Sequence, residues 1–165
     1  MSRIGPSVAF TVAGVLLLVD FLTKRLVLWQ VDAFSSGIPL IDGLLRFTYV
    51  RNAGAAFGIF QGGRWPFIVV SSAAVLGLSW LLRRGGRSRL RTVAYALILG
   101  GAAGNLVDRI FYGGLVVDFI EMGWRGHTFP VYNVADMGVS IGAALLIRHA
   151  LRVQGLLVLP VTVRP

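Results

Sequence analysis

The 165 residues are 56% hydrophobic and only 14% charged, with a mean hydropathy of +0.76, a balance that excludes an ordinary soluble domain and reads as a membrane protein. The chain has no cysteine, which excludes disulfides, thiolate metal sites, a cysteine nucleophile and lipidation of the chain itself on cysteine, and its two isolated histidines, His127 and His149, lack any zinc-binding spacing, so no metal or cofactor is expected. The net charge of +9 is not laid out as a basic face interleaved with stacking aromatics, so no nucleic-acid partner is expected; the basic residues mark one side of a bilayer instead.

Four apolar stretches approach the ~20 residues needed to cross a hydrocarbon core: 7–29, 66–82, 92–112 and 134–151. In the first, Asp20, Lys24 and Arg25 follow the apolar run where a signal-peptide cleavage site would need small residues, so the segment is predicted to remain as an uncleaved helix. Asp20 and Lys24 are spaced i, i+4, which puts opposite charges on one helix face and reads first as a structural ion pair. The connection 30–65 carries a strand-forming run at 44–50, followed by the small-residue run Asn52-Ala-Gly54-Ala-Ala-Phe-Gly58.

The second span ends in Arg83-Arg84-Gly-Gly-Arg87-Ser-Arg89-Leu-Arg91, so the loop 83–91 is predicted to be cytoplasmic. Adding Arg3, Arg148, Arg152 and Arg164 puts both termini on the same side. Trp29, Trp65 and Trp124 then fall near the outer interface and Trp80 near the inner one, where indoles are favoured. In the third span, Gly100-Gly-Ala-Ala-Gly104 has the small-residue spacing of a close helix approach, and Asn105, Asp108 and Arg109 lie at its outer end. Adjacent Asp108 and Arg109 point in different directions, each suited to tie down another segment. The connection 113–133 contains a second strand-like run at 115–120, and the two runs together predict a small sheet at the outer membrane surface.

Charges in or beside spanning helices cost on the order of 2.5–3.5 kcal/mol at a helix centre, so each one needs a reason. Asp118 follows the third span and Asp136 opens the fourth, which places both carboxyls at similar membrane depth. Two facing carboxyls share a proton because like charges a few ångströms apart do not both ionise cheaply. One then serves as general base on water while the other donates to a scissile carbonyl. Asn133-Val-Ala-Asp136 also reads as a capping box, and a helix N-terminus favours the ionised form, so Asp136 is expected to be the more acidic of the two and Asp118 the proton holder. No serine has a nucleophile-elbow context, and Ser140 reads as a helix-packing residue. A proton carrier built on Asp20, Lys24, Asp108 and Arg109 lacks inner-half groups to complete a path, and a non-catalytic assembly factor would not need Asp118 and Asp136.

The ordered motifs resemble the lipoprotein signal peptidases, also called signal peptidase II: Asp20-Phe-Leu-Thr-Lys24, Tyr49-Val-Arg-Asn52-Ala-Gly54-Ala-Ala-Phe57, Gly101-Ala-Ala-Gly104-Asn105-Leu-Val-Asp108-Arg109, Val117-Asp118-Phe119 and Phe129-Pro-Val-Tyr-Asn133-Val-Ala-Asp136. The resemblance implies an aspartic endopeptidase of the bacterial inner (cytoplasmic) membrane that works as a monomer, uses no cofactor and has its active site on the extracytoplasmic side. It further implies cleavage of diacylglyceryl-modified prolipoprotein before the lipidated cysteine, within membrane lipid. Carried over by motif, Asp118 and Asp136 are the catalytic pair, Asn52, Gly54, Asn105, Arg109 and Asn133 bind substrate or support the pair, and Asp20, Lys24 and Asp108 are structural. The fold expected is a single membrane domain, a four-helix bundle with a small extracytoplasmic β-sheet, in which the loop around 52–58 covers the site. The tail 154–165 matches none of these motifs.

Overall fold

The computed structural model describes residues 5–54 and 64–153. Four helices are long and apolar enough to cross a membrane: α1 (Pro6–Trp29), α3 (Arg64–Arg84), α4 (Arg89–Phe111) and α5 (Val134–Val153). A short helix α2 (Val31–Ser36) and the strands β1 (Ile38–Ile41) and β2 (Leu45–Asn52) fill the first long connection, and β3 (Val116–Trp124) and β4 (His127–Thr128) the second. The strands form one antiparallel sheet in the order β1-β2-β3-β4. The mainly helical architecture with a small sheet is thus the one the sequence predicts. The reach of the small-residue run beyond Gly54, Arg3, Arg164 and the tail 154–165 lie outside the described residues.

The helices meet through small residues, because packing in lipid must come from close van der Waals contact rather than from the exclusion of water. A Cβ on Gly100 would lie 2.6 Å from the Ala13 carbonyl of α1, and one on Gly142 would lie 2.7 Å from the Ala94 carbonyl of α4. These pairings run α1 parallel to α4 and α5 antiparallel to it. Towards the start of α4, Leu82 at the end of α3 packs with Ala9, Ala13, Ala96 and Leu99. The ends of α3 and α5 therefore share one end of the bundle with the starts of α1 and α4. The sheet sits at the opposite end, where Val117 and Phe119 of β3 pack on Val27 of α1 and Phe34 of α2. Trp29, Trp65 and Trp124 are all exposed around that sheet end, and Trp80 is exposed near the other.

Strand alternation decides which way Asp118 faces. Val117 and Phe119 point to the apolar cluster, so Val116, Asp118 and Met122 line the opposite side, facing a cavity. All four residues from Val116 to Phe119 are buried, so this stretch of β3 is enclosed on both faces.

Two hairpins escaped the strand reading. β1 is only four residues long and contains Pro39, which suits an edge strand, and the Asp42-Gly43 pair that follows it is the usual hairpin signal. β4 is two residues long and is reached through Arg125 and Gly126, both with positive φ, at 51° and 83°.

Gly104 is where helix spacing and polar structure meet. A Cβ there would lie 2.5 Å from Asp20 Oδ2 and 3.2 Å from Ala135 Cβ. Asp20 is held by two other bonds and has no room to retreat. Gly104→Ala should therefore cost about 1–3 kcal/mol and lower the thermal unfolding midpoint in detergent. Gly14→Ala, whose Cβ meets nothing within 4 Å in the interior of α1, serves as the control and should leave the midpoint equal or slightly raised, not lowered.

Candidate active site

The site is built around one buried ammonium. Lys24 on α1 is fully buried, and its Nζ lies 2.8 Å from Asp20 Oδ2, 3.0 Å from Asp108 Oδ2 and 3.0 Å from the Asn105 side-chain oxygen. A buried cation is tolerable only when its charge and all its donors are matched, and here two carboxylates and an amide oxygen match them. Each partner makes a second bond to another element. Asp20 Oδ1 accepts from the Ala135 backbone N–H at 2.8 Å, which fixes the first turn of α5. Asp108 Oδ2 accepts from the Val117 N–H at 3.1 Å, which fixes β3 beside α4. Asn105 donates through Nδ2 to Asp136 Oδ1 at 2.7 Å.

Asp136 occupies the third position of α5 as the sequence suggests. Its backbone N–H donates to the Asn133 side-chain oxygen at 2.9 Å, and the Asn133 backbone N–H donates back to Asp136 Oδ2 at 3.2 Å, a reciprocal capping box. The Asn133 Nδ2 group also donates to Asp118 Oδ1 at 2.6 Å, and to the Asn105 oxygen at 3.1 Å. Asn133 therefore bridges the two carboxyls. It is fully buried, and it is delivered to this place by the Ile120–Tyr132 bridge that lays residue 132 beside β3.

On the far side of Asp118, Asn52 at the end of β2 donates through Nδ2 to Asp118 Oδ2 at 2.8 Å. Its own oxygen accepts from the Gly54 N–H at 2.9 Å, so the residue closes the turn that leaves the strand. Arg109 reaches the Gly54 carbonyl at 3.5 Å, and its guanidinium lies over the Phe67 ring, 4.9 Å from the centroid. Asp108 and Arg109 do point to different segments.

Asn52, Gly54, Asn105, Arg109, Asp118 and Asp136 all border one open cavity of about 660 Å³, and the other walls are largely apolar, with Met122, Phe129 and Val131 on one side and Met137 and Ile141 of α5 on the other. Ser140 also lines this cavity and is exposed, which corrects its reading as a helix-packing residue. Gly138 and Gly142 take the packing positions on α5, since a Cβ on either would strike α1 or α4. The cavity itself had no signal in the sequence, because its walls come from Phe129 to Tyr132 and from the face of α5 below Asp136.

Asp118 is 1% exposed, and burial pushes its carboxyl up to about 7. The nearby Asp136 charge raises it further, while the amide donors of Asn52 and Asn133, and then Lys24, pull the other way without cancelling the burial. The arrangement thus pairs a carboxyl poised near neutrality with a second one at a helix N-terminus. Such a pair can hold and pass one proton across a bound group.

The fold and site together define a multi-pass membrane protein with paired carboxyls at the sheet end of its bundle. The chain belongs to the family described as signal peptidase (SPase) II, whose pattern matches residues 12–152, and it is accordingly a peptidase. Among its relatives, the lipoprotein signal peptidase of Symbiobacterium thermophilum is 43% identical over 88% of this chain and 95% of its own length. That of Halalkalibacterium halodurans is 41% identical over 87% of this chain and 91% of its own. A bacterial membrane enzyme solved by the in meso method at 2.3 Å resolution superposes with a TM-score of 0.81 at 28% identity, covering 92% of this chain and 93% of that one.

Two measurements follow from this geometry. Lys24→Met leaves Asp20 buried without a counter-charge and Asp108 with only the more distant Arg25, 3.8 Å away, and should cost about 3–5 kcal/mol of stability, read from unfolding in detergent. The folded-state value of Asp118 lies above its ordinary 3.8, so the stability it contributes is fully present below that value and is lost as pH rises through about 7. Between pH 5 and 8 the unfolding midpoint of the unsubstituted protein should therefore fall more steeply than that of Asp118→Asn. Parallel curves would show that the carboxyl is not held protonated.

Proposed function

We propose that the chain is an aspartic endopeptidase that removes the signal peptide from diacylglyceryl-modified bacterial prolipoproteins, cleaving before the lipidated cysteine. The observation that carries this reading is the bridging of Asp118 and Asp136 by a single buried asparagine at the mouth of an apolar-walled cavity. Ionised Asp136 takes a proton from water as the oxygen attacks the scissile carbonyl, and protonated Asp118 gives its proton to the carbonyl oxygen. The tetrahedral diol then collapses, its proton returns to Asp118, and Asp136 delivers its own to the departing amine. Both carboxyls end as they began.

In this reading Asn133, Asn105 and Asn52 hold the carboxyls at fixed angles, while Arg109 and Gly54 border the space for the substrate backbone. Asp20, Lys24 and Asp108 are structural. The apolar wall along Met137 and Ile141 suits a substrate that is itself a membrane segment and arrives by lateral diffusion, its acyl chains remaining in lipid. The chain acts as a single membrane domain and as a monomer, with the loop 83–91 and both termini cytoplasmic and the site facing the extracytoplasmic side of the cell membrane. Seven arginines at the other end of the bundle and three exposed tryptophans at the sheet end support that orientation.

The test is cleavage of a diacylglyceryl-modified lipobox peptide by the purified protein in detergent or bilayer. Turnover should persist in the presence of a chelator and fall as pH rises past about 7, where Asp118 loses its proton. Asp118→Asn and Asp136→Asn should each reduce turnover by roughly 10²–10⁴-fold while folding and peptide binding remain. A variant that kept its turnover would remove that carboxyl from the mechanism.

A further inference from the structure

The charge of this molecule is divided between its two ends. Arg83, Arg84, Arg87, Arg89 and Arg91 crowd the α3–α4 turn, and Arg148 and Arg152 lie towards the end of α5, at the same end of the bundle. All seven acidic residues lie in the other half, from Asp20 in the second half of α1 to Asp136 in the first turn of α5. The ion pairs among the described residues are made by Lys24, Arg25 and Arg46, so no arginine of the basic end has a carboxylate partner there.

The depth of these arginines is fixed by the aromatics beside them. The Arg84 guanidinium lies 3.8 Å from the centroid of the Trp80 ring, and Trp80 is 52% exposed on the outside of the bundle. An exposed indole one turn from a helix end marks the headgroup level of a leaflet. Arg87 is spent inside the turn, donating to the Leu81 and Gly85 carbonyls. Arg83, Arg84 and Arg89 remain exposed.

We infer that the α3–α4 turn binds the phosphates of anionic phospholipid headgroups. Clustered cations at headgroup depth gain most from a lipid whose phosphate charge is not cancelled by its own ammonium, and phosphate oxygens accept the guanidinium donors that Arg83, Arg84 and Arg89 leave exposed. This interaction anchors the end of the bundle remote from the carboxyl pair and is independent of the peptidase reading.

Native mass spectrometry of the full chain, released from detergent micelles holding equal amounts of phosphatidylglycerol and phosphatidylcholine, tests the inference. Phosphatidylglycerol should be retained in preference. Arg84→Gln combined with Arg89→Gln and Arg91→Gln should lower that retention roughly tenfold or more, and lysine at the same three positions should largely preserve it. Equal retention of the two lipids, or a preference that the glutamine variant leaves intact, would overturn the proposal. The unfolding midpoint in detergent shows whether the triple variant is folded. Should it not be, the single Arg89→Gln, at an exposed position, must still show a partial loss of retention.

Discussion

One lysine holds the sheet end of this protein together. Lys24 is taken wholly out of solvent within an apolar helix, and the expense of doing so is offset by three acceptors drawn from α1 and α4. Each acceptor is divided between the ammonium and a second duty. Asp20 secures the start of α5, Asp108 secures β3, and Asn105 grips Asp136. The two carboxyls of the site are carried by elements that the bundle alone would leave free to shift, and the charge cluster fixes both to the same pair of helices.

Around that cluster, small residues do what size would prevent. Gly100, Gly101 and Gly104 present one flank of α4 to α1 and another to α5, so the three helices approach closely enough for Asp20 to reach the Ala135 amide. Close packing and polar satisfaction are therefore one requirement here. Side chains at those positions would push apart the helices that bring donor and acceptor together.

Much of this was legible in the chain, and the reasons differ by feature. The spanning helices announce themselves by hydropathy, and the Asn133–Asp136 cap by spacing, because both are local properties. The Asp20–Lys24 pair was visible as i, i+4, but the third and fourth members of that cluster, Asn105 and Asp108, lie some eighty residues away in sequence and are joined only by the fold. The short elements α2, β1 and β4 carry too few residues to show a period, although Asp42-Gly43 was a usable turn signal. Ser140 was misjudged because the glycines on either side of it, not the serine, make the helix contact. The apolar cavity was invisible for the same reason: its walls come from separate segments with no common pattern.

The donors that hold the two carboxyls are all uncharged. Asp118 is gripped by the amide groups of Asn52 and Asn133, and Asp136 by the amide of Asn105 and a backbone N–H. Had lysine or arginine filled these places, each carboxyl would be locked into its anionic state and protonation would dismantle the frame. Neutral clamps set position without dictating ionisation, so in the proposed mechanism a single hydrogen nucleus can change owners while the scaffold around it stays still.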